Sequence, residues 1–315
     1  NESAEQTASE SYMVMDSVGF EDDDQSTTRA TSPPPTCPPP TRPRHFMAWD
    51  SHFHLDRSSR KIFGHLNASV QEVLHAEVGV RPNLSVHVEG GVLVYCDPEH
   101  YPAQVPKEKG FGVAVGVHPK KVALFHNDQY GKLRDLLRLK EVVALGEIGL
   151  DHTEPESTWK DQEDTLIKVL QLSMPIRPLI IHLRDPKDKH CGELSTRCLQ
   201  IMRANVAPTQ KIHLHCFGGT VEQVVSWMEA FPRCYFGFTG SVTRFDEFQK
   251  AALRKVPRGH LLLETDSPYF MPSRALANTP AFIGDVATAV AGIRKEAVED
   301  VLDLTAANTR VLYLL

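Results

Sequence analysis

Eight short apolar runs punctuate the chain, at roughly 46–52, 90–96, 111–117, 141–147, 178–183, 211–216, 233–239 and 260–265. Several are apolar on both faces, as in Val142-Val143-Ala144-Leu145 and Pro178-Leu179-Ile180-Ile181. A strand without a polar face has both sides covered, which is the habit of parallel sheets flanked by helices. Between most runs, apolar residues recur at three- and four-residue spacing, over 124–139, 158–172, 194–204, 221–231 and 245–255. That period predicts amphipathic helices. Two further helices are expected after the last strand, at 281–293 and 298–315. The stretch 97–110 breaks the alternation, because Pro98, Pro102 and Pro106 leave no room for a full helix. Strand and helix alternating in this way predict an α/β fold of the TIM-type (β/α)8 barrel, beginning near Phe46. No internal sequence repeat is visible.

The pattern upstream is different. Residues 1–44 are rich in Ser, Thr, Glu and Asp and then run through Pro33-Pro34-Pro35-Thr36-Cys37-Pro38-Pro39-Pro40. Such a composition has little to bury, so a disordered, acidic, Pro-rich tail is expected here, with the barrel occupying 45–315. The tail distorts the charge of the whole. The net charge is −6, but residues 1–32 hold eight acidic residues and one basic. The remainder is near neutral, so nothing in its overall charge advertises nucleic acid, and nothing excludes it. No run of about 18 apolar residues exists, so no membrane span is expected. The six cysteines are scattered without a CxxC pair, which favours a reducing, intracellular setting, nuclear or cytoplasmic. The chain opens on Asn1 rather than Met, which reads as a fragment or a processed form.

Candidate chemistry sits at the ends of the apolar runs. His52 and His54 close the first. Positions i and i+2 of a strand face the same way, so the two imidazoles can grip one ion. Alone, the pair is a weak signal, and two hydrogen-bonded core histidines are the commoner reading. Glu147, His182, His215 and Asp266 end four later runs. An ionisable side chain there is costly to bury without a partner, and barrel strand ends converge at one mouth. Two carboxylates and four imidazoles exceed what one tetrahedral ion needs. They suit two divalent ions sharing a carboxylate. Four imidazoles favour Zn or Mn on ligand softness.

Six motifs follow in order: Asp50-Ser51-His52-Phe53-His54-Leu55-Asp56, Gly116-Val117-His118-Pro119, Gly146-Glu147-Ile148-Gly149-Leu150-Asp151, Ile181-His182-Leu183-Arg184, His215-Cys216-Phe217-Gly218-Gly219 and Glu264-Thr265-Asp266-Ser267-Pro268-Tyr269. Together they resemble the TatD family of metal-dependent nucleases, over roughly 46–315. The resemblance implies a deoxyribonuclease, often a 3′-to-5′ exonuclease on single strands, with some relatives acting on RNA. It implies two metal ions, with Mg as the expected metal. His52, His54 and Asp266 would hold the first, His182 and His215 the second, and Glu147 would bridge them. Glu147 and Asp266 would be the catalytic carboxylates. His118 and Arg184 match positions near the substrate, although either could be a structural residue of its loop. The chain departs from the family pattern at His152-Thr153, at Gly218 and around Ala277-Asn278-Thr279-Pro280. These departures touch the pocket rim and leave the six ligand positions intact.

Neighbouring residues have blander readings. Asp151 is expected to start a helix rather than to support a ligand. Glu264, two before Asp266, could support the metal site or pair with a basic residue. His213 is expected to fill a barrel layer, and His190, Cys191 and Cys198 lack a fourth partner for a zinc site. Two rival functions remain: an amidohydrolase-type enzyme for a small lactone, amide or phosphoester, and a binding scaffold without activity. The Glu at 147 favours the nuclease over amidohydrolases, which often bridge their metals with a carboxylated lysine.

Overall fold

The computed structural model describes residues 45–315. The disordered tail expected over 1–44 lies outside the described residues. Eight strands pair in sequence order, β1(Phe46–Phe53), β2(Val86–Tyr95), β3(Phe111–Val115), β4(Val142–Asp151), β5(Leu179–Arg184), β6(Ile212–Leu214), β7(Cys234–Phe238) and β8(Leu261–Leu263). Every neighbouring pair is parallel. The ring is drawn together where β8 meets β1: Asp266 N donates to His52 O at 3.0 Å and His54 N to Ser267 O at 2.9 Å. This is the expected α/β barrel.

The helices are α1(Leu55–Phe63), α2(Val70–Leu74), α3(Asn127–Leu136), α4(Trp159–Leu170), α5(Gly192–Asn205), α6(Val221–Ala230), α7(Glu247–Lys255), α8(Ile283–Arg294) and α9(Val298–Tyr313). Seven match the helical periodicities. α1 and α2 were not foreseen, since their segment lacks a sustained apolar stripe. α2 starts on local chemistry instead, a capping box in which Ser69 and Glu72 satisfy each other's backbone N–H. Between β2 and β3 there is only the short 3-10 turn Pro98–His100, as the prolines dictate.

Side chains alternate between two cores. Val92, Val94, Ala114, Ala144, Ile180 and Leu262 form a cluster with Leu312 and Tyr313 of α9. Their strand neighbours Leu93, Val113, Val115, Leu145, Leu179, Ile181, Leu261 and Leu263 belong to the larger core beneath the helices. The first set therefore fills the barrel, and the end of α9 packs against it. Lys211 Nζ donates to the carbonyls of Val311 and Leu312 at 3.3 and 3.0 Å, supplying a cation where the helix leaves acceptors unpaired.

Candidate metal centre

The six predicted residues meet at one mouth of the barrel. His52 is the penultimate residue of β1 and His54 caps α1. Their Nε2 atoms are 3.4 Å apart. Both lie 3.4 Å from Glu147 Oε2, and 3.5 and 3.3 Å from Asp266 Oδ1. Ligand atoms around a tetrahedral zinc, each about 2.1 Å from the ion, stand about 3.4 Å from one another. The two imidazole nitrogens thus stand from each other and from both carboxylate oxygens at the spacing of a coordination shell. Asp266 Oδ1 is buried with no hydrogen-bond partner of its own, a state that a cation would relieve.

The other oxygen of Glu147 faces a second set. Oε1 lies 2.6 Å from His182 Nδ1, 3.4 Å from His118 Nε2 and 4.0 Å from His215 Nε2. One carboxylate thereby addresses two groups of imidazoles with different oxygens. Glu147 does not end its strand as expected; β4 runs on to Asp151. Ala144 points into the barrel, whereas Ile148 and Leu150 join the outer core. Strict alternation from Ala144 would turn Glu147 outward. A register irregularity between Gly146 and Ile148 resets the alternation and brings Glu147 inside.

Each imidazole is oriented by its far nitrogen or by its neighbours. His54 Nδ1 sits 3.1 Å from the carbonyl of Val94, leaving Nε2 to the centre. His182 Nε2 sits 2.9 Å from Asp151 Oδ2. Asp151 therefore does not begin a helix: it is fully buried, supports His182, and accepts the N–H of Thr153 at 2.9 Å. His215 Nδ1 lies 3.0 Å from Glu264 Oε1, and His213 Nε2 lies 3.0 Å from Glu264 Oε2. Those two approaches are close but off the ideal N–H direction. Glu264 thus supports a predicted ligand and also pairs with His213. His213 does point into the barrel, as a layer residue should, but it does so as part of this polar chain.

The electrostatics follow from burial set against this crowding. Burial raises the Glu147 carboxyl, but His118, His215 and His182 outweigh it and hold it well below its ordinary range. Burial, aided by His215, lowers His52 to about 4, so its imidazole is neutral at physiological pH. His215 is also buried, yet Glu264, Asp266 and Glu147 push it up to about 9. Burial keeps His118 well below its usual value. Its Nδ1 accepts the backbone N–H of Lys120 at 3.1 Å, which leaves Nε2–H as a donor aimed at the centre.

The mouth opens into a cavity of about 1190 Å³. Arg184 lies on its wall, exposed at the end of β5. Of the three departures, His152 stacks on Trp159 with ring centres 3.6 Å apart. Gly218 O accepts from Gln249 Nε2 at 2.8 Å. Asn278 Nδ2 ties the carbonyls of Thr265 and Tyr269 together behind Asp266. His190 pairs with Asp246 at 2.8 Å, and no metal-like cluster includes Cys191 or Cys198 among the described residues. Sequence reading missed Arg57. It lies three residues after His54, so one helical turn brings it back over the same ligand.

A family model described as TatD related DNase matches residues 49–314. A human 3′-5′ RNA nuclease, TATDN2, is 32% identical over 58% of this chain, which spans only 24% of that relative. The uncharacterised metal-dependent hydrolase YcfH of Escherichia coli K12 is 32% identical over 84% of the chain and 94% of its own length. The 3′-5′ ssDNA/RNA exonuclease TatD of Edwardsiella piscicida is 30% identical over 64% of the chain and 76% of its own. The crystal structure of YjjV, a TatD homologue from Escherichia coli, superposes with a TM-score of 0.66 over 85% of this chain and 98% of its own, at 22% identity. That last likeness speaks for the fold alone.

Proposed function

The chain belongs to the TatD-related DNase family, and on that premise we propose that it is a two-metal nuclease hydrolysing phosphodiester bonds in single-stranded DNA or RNA from the 3′ end. The observation that carries this reading is Glu147, whose two oxygens face two different sets of imidazoles. His52, His54 and Asp266 would hold the first ion, His182 and His215 the second, and Glu147 both. Bound divalent cations would supply Lewis-acid polarisation of the phosphoryl oxygens and a water of lowered pKa. Zn, Mn and Mg are all compatible with this donor set of nitrogen and oxygen.

The chain's own groups do the rest. Asp266 turns its carboxylate into the mouth from a left-handed backbone, φ 51, a conformation that Asp tolerates better than most residues. One of its oxygens faces each set of imidazoles, so it is placed to accept the proton of the attacking water. His118 offers Nε2–H to a phosphate oxygen. Arg184 on the wall would meet a neighbouring phosphate of the strand. The 3′-5′ direction and the single-strand preference rest on the named activities of the human and Edwardsiella relatives. The described barrel carries every one of these residues. The five described cysteines are free, which suits an intracellular, reducing compartment. Among the described residues no helix is long and apolar enough to cross a membrane.

The test uses 5′-labelled single-stranded DNA and RNA with Mg, Mn or Zn, EDTA controls, and Glu147→Gln. Metal-dependent ladders shortening from the 3′ end are expected for the wild type. Glu147→Gln keeps the side-chain size but loses the charge and one acceptor oxygen, so cleavage should fall by orders of magnitude. Near-normal cleavage by a folded Glu147→Gln protein would refute the two-metal reading. Hydrolysis confined to lactones, amides or phosphotriesters would favour the amidohydrolase alternative.

A further inference from the structure

Arg57 stands in the first turn of α1 with one edge of its guanidinium fully engaged and the other without an anion. Nε and Nη2 grip the two oxygens of Asp97 at 3.1 and 2.7 Å, a two-pronged arrangement. This fixes the plane of the group. The opposite edge, Nη1, lies 3.4 Å from His54 Nε2 and 3.4 Å from Tyr269 Oη. Neither is a carboxylate. His54 Nε2 is moreover the lone pair turned toward Glu147 and Asp266, so it is no free acceptor once an ion is held there. The Arg57 side chain is only 17% exposed, so little water replaces the missing partner.

The surroundings say what could fill that edge. Asp97 is spent on Arg57, while Glu147 Oε2 and Asp266 Oδ1 face the imidazoles. The carboxylates of Asp97, Glu147 and Asp266 are therefore committed. The edge borders the same cavity as the ligand cluster. Tyr269, 47% exposed, stands beside it, its ring centre 5.8 Å from the guanidinium carbon. An aromatic face and a guanidinium at one lip of a metal centre suit an anion that carries a flat base.

We propose that Arg57 is a phosphate-binding residue: Asp97 holds it so that Nη1 takes a non-bridging oxygen of the phosphodiester lying against the His52–His54–Asp266 side of the centre. This rests on the two-metal reading above. The rival is that Arg57 and Asp97 only staple α1 to the end of β2.

The two roles predict opposite effects on metal and on anion. The full chain is compared as wild type, Arg57→Ala and Arg57→Lys. Two quantities are read: the rise in Tm on adding Mn or Zn, and the affinity of the metal-loaded protein for inorganic phosphate and for a phosphorothioate-linked oligonucleotide. Removing a cation 3.4 Å from His54 Nε2 should leave the metal-induced rise in Tm equal to or larger than that of the wild type. The same variant should lose about 10- to 100-fold in affinity for both anions, the size of one charge-assisted hydrogen bond. Arg57→Lys, which keeps charge but not the fork, should recover only part of that loss. Unchanged anion affinity in Arg57→Ala would overturn the proposal. So would a weakened metal response in either variant, which would make Arg57 a structural support of the centre. If the wild type itself shows no metal response, the two-metal reading fails and this proposal falls with it.

Discussion

Asp50 shows how burial and pairing compete at a single residue. It is fully buried on β1, where Oδ1 accepts the N–H of Thr265 at 3.0 Å and Oδ2 lies 2.5 Å from Thr265 Oγ1. Burial outweighs those bonds and pushes its carboxyl up to about 7. No imidazole compensates it, in contrast to Glu147. A carboxyl raised on folding favours the folded state below its unfolded value, and that contribution is lost as pH climbs through the folded value. Between about pH 4 and pH 7, Asp50 should therefore lower stability progressively. Asn at 50 can still accept from the Thr265 N–H and can donate to its hydroxyl. Melts of metal-free Asp50→Asn and wild type across that range should diverge, the variant gaining with rising pH. Parallel curves would show that Asp50 is ionised throughout.

At the scale of elements, the candidate metal centre is tied to the last helix. Tyr313, near the end of α9, lies 2.6 Å from His213 Nδ1. Burial holds the phenol protonated and the His213 imidazole neutral, so Tyr313 O–H donates to Nδ1 and His213 turns Nε2–H toward Glu264. Glu264 in turn faces Nδ1 of His215 and accepts the backbone N–H of Cys216. The pair needs glycine beside it: a Cβ at Gly237 of β7 would stand 2.4 Å from His213 Nε2 and 2.5 Å from Glu264 Oε2. Tyr313→Phe removes one hydroxyl and leaves a buried nitrogen unpaired. It should cost about 1–3 kcal/mol of stability, read by denaturant unfolding of the metal-free protein. It should also shrink the metal-induced rise in Tm, since His215 loses part of its orientation. Stability and metal response both unchanged would show that α9 merely fills space.

At the scale of the whole molecule, charge is arranged locally rather than globally. The chain beyond the acidic N-terminal segment is near neutral, yet Arg57, Arg60, Lys61, Lys120, Lys121, Arg184, Lys189 and Arg244 all line one cavity. Several are offset by Glu99, Glu154 or Asp246, while Arg60, Lys61, Arg184 and Arg244 have no ion pair among the described residues. Such a mouth would offer positive charge to a polyanion without making the protein basic. All the candidate chemistry belongs to 45–315, and no motif residue falls in 1–44. Deleting 1–44 should keep turnover of a short oligonucleotide within about threefold, less than the tenfold that 1.4 kcal/mol represents. Near-complete loss in a folded truncated protein would give that segment a part in the reaction.

Periodicity determined the eight strands and seven of the nine described helices, because buried parallel strands and amphipathic helices leave different repeats in a chain. Residue type at the strand ends nominated His52, His54, Glu147, His182, His215 and Asp266, because ionisable groups beside apolar runs need a reason to be there. The order of motifs then pointed to the family. The sequence could not show that the irregularity at Gly146 turns Glu147 inward, since simple alternation points the other way. Nor could it show Asp151 beneath His182, Arg57 anchored by Asp97, or Tyr313 reaching His213 across 100 positions. Those contacts join residues from different strands and helices. They exist only once the barrel closes, and no local pattern in the chain encodes a partner that distant.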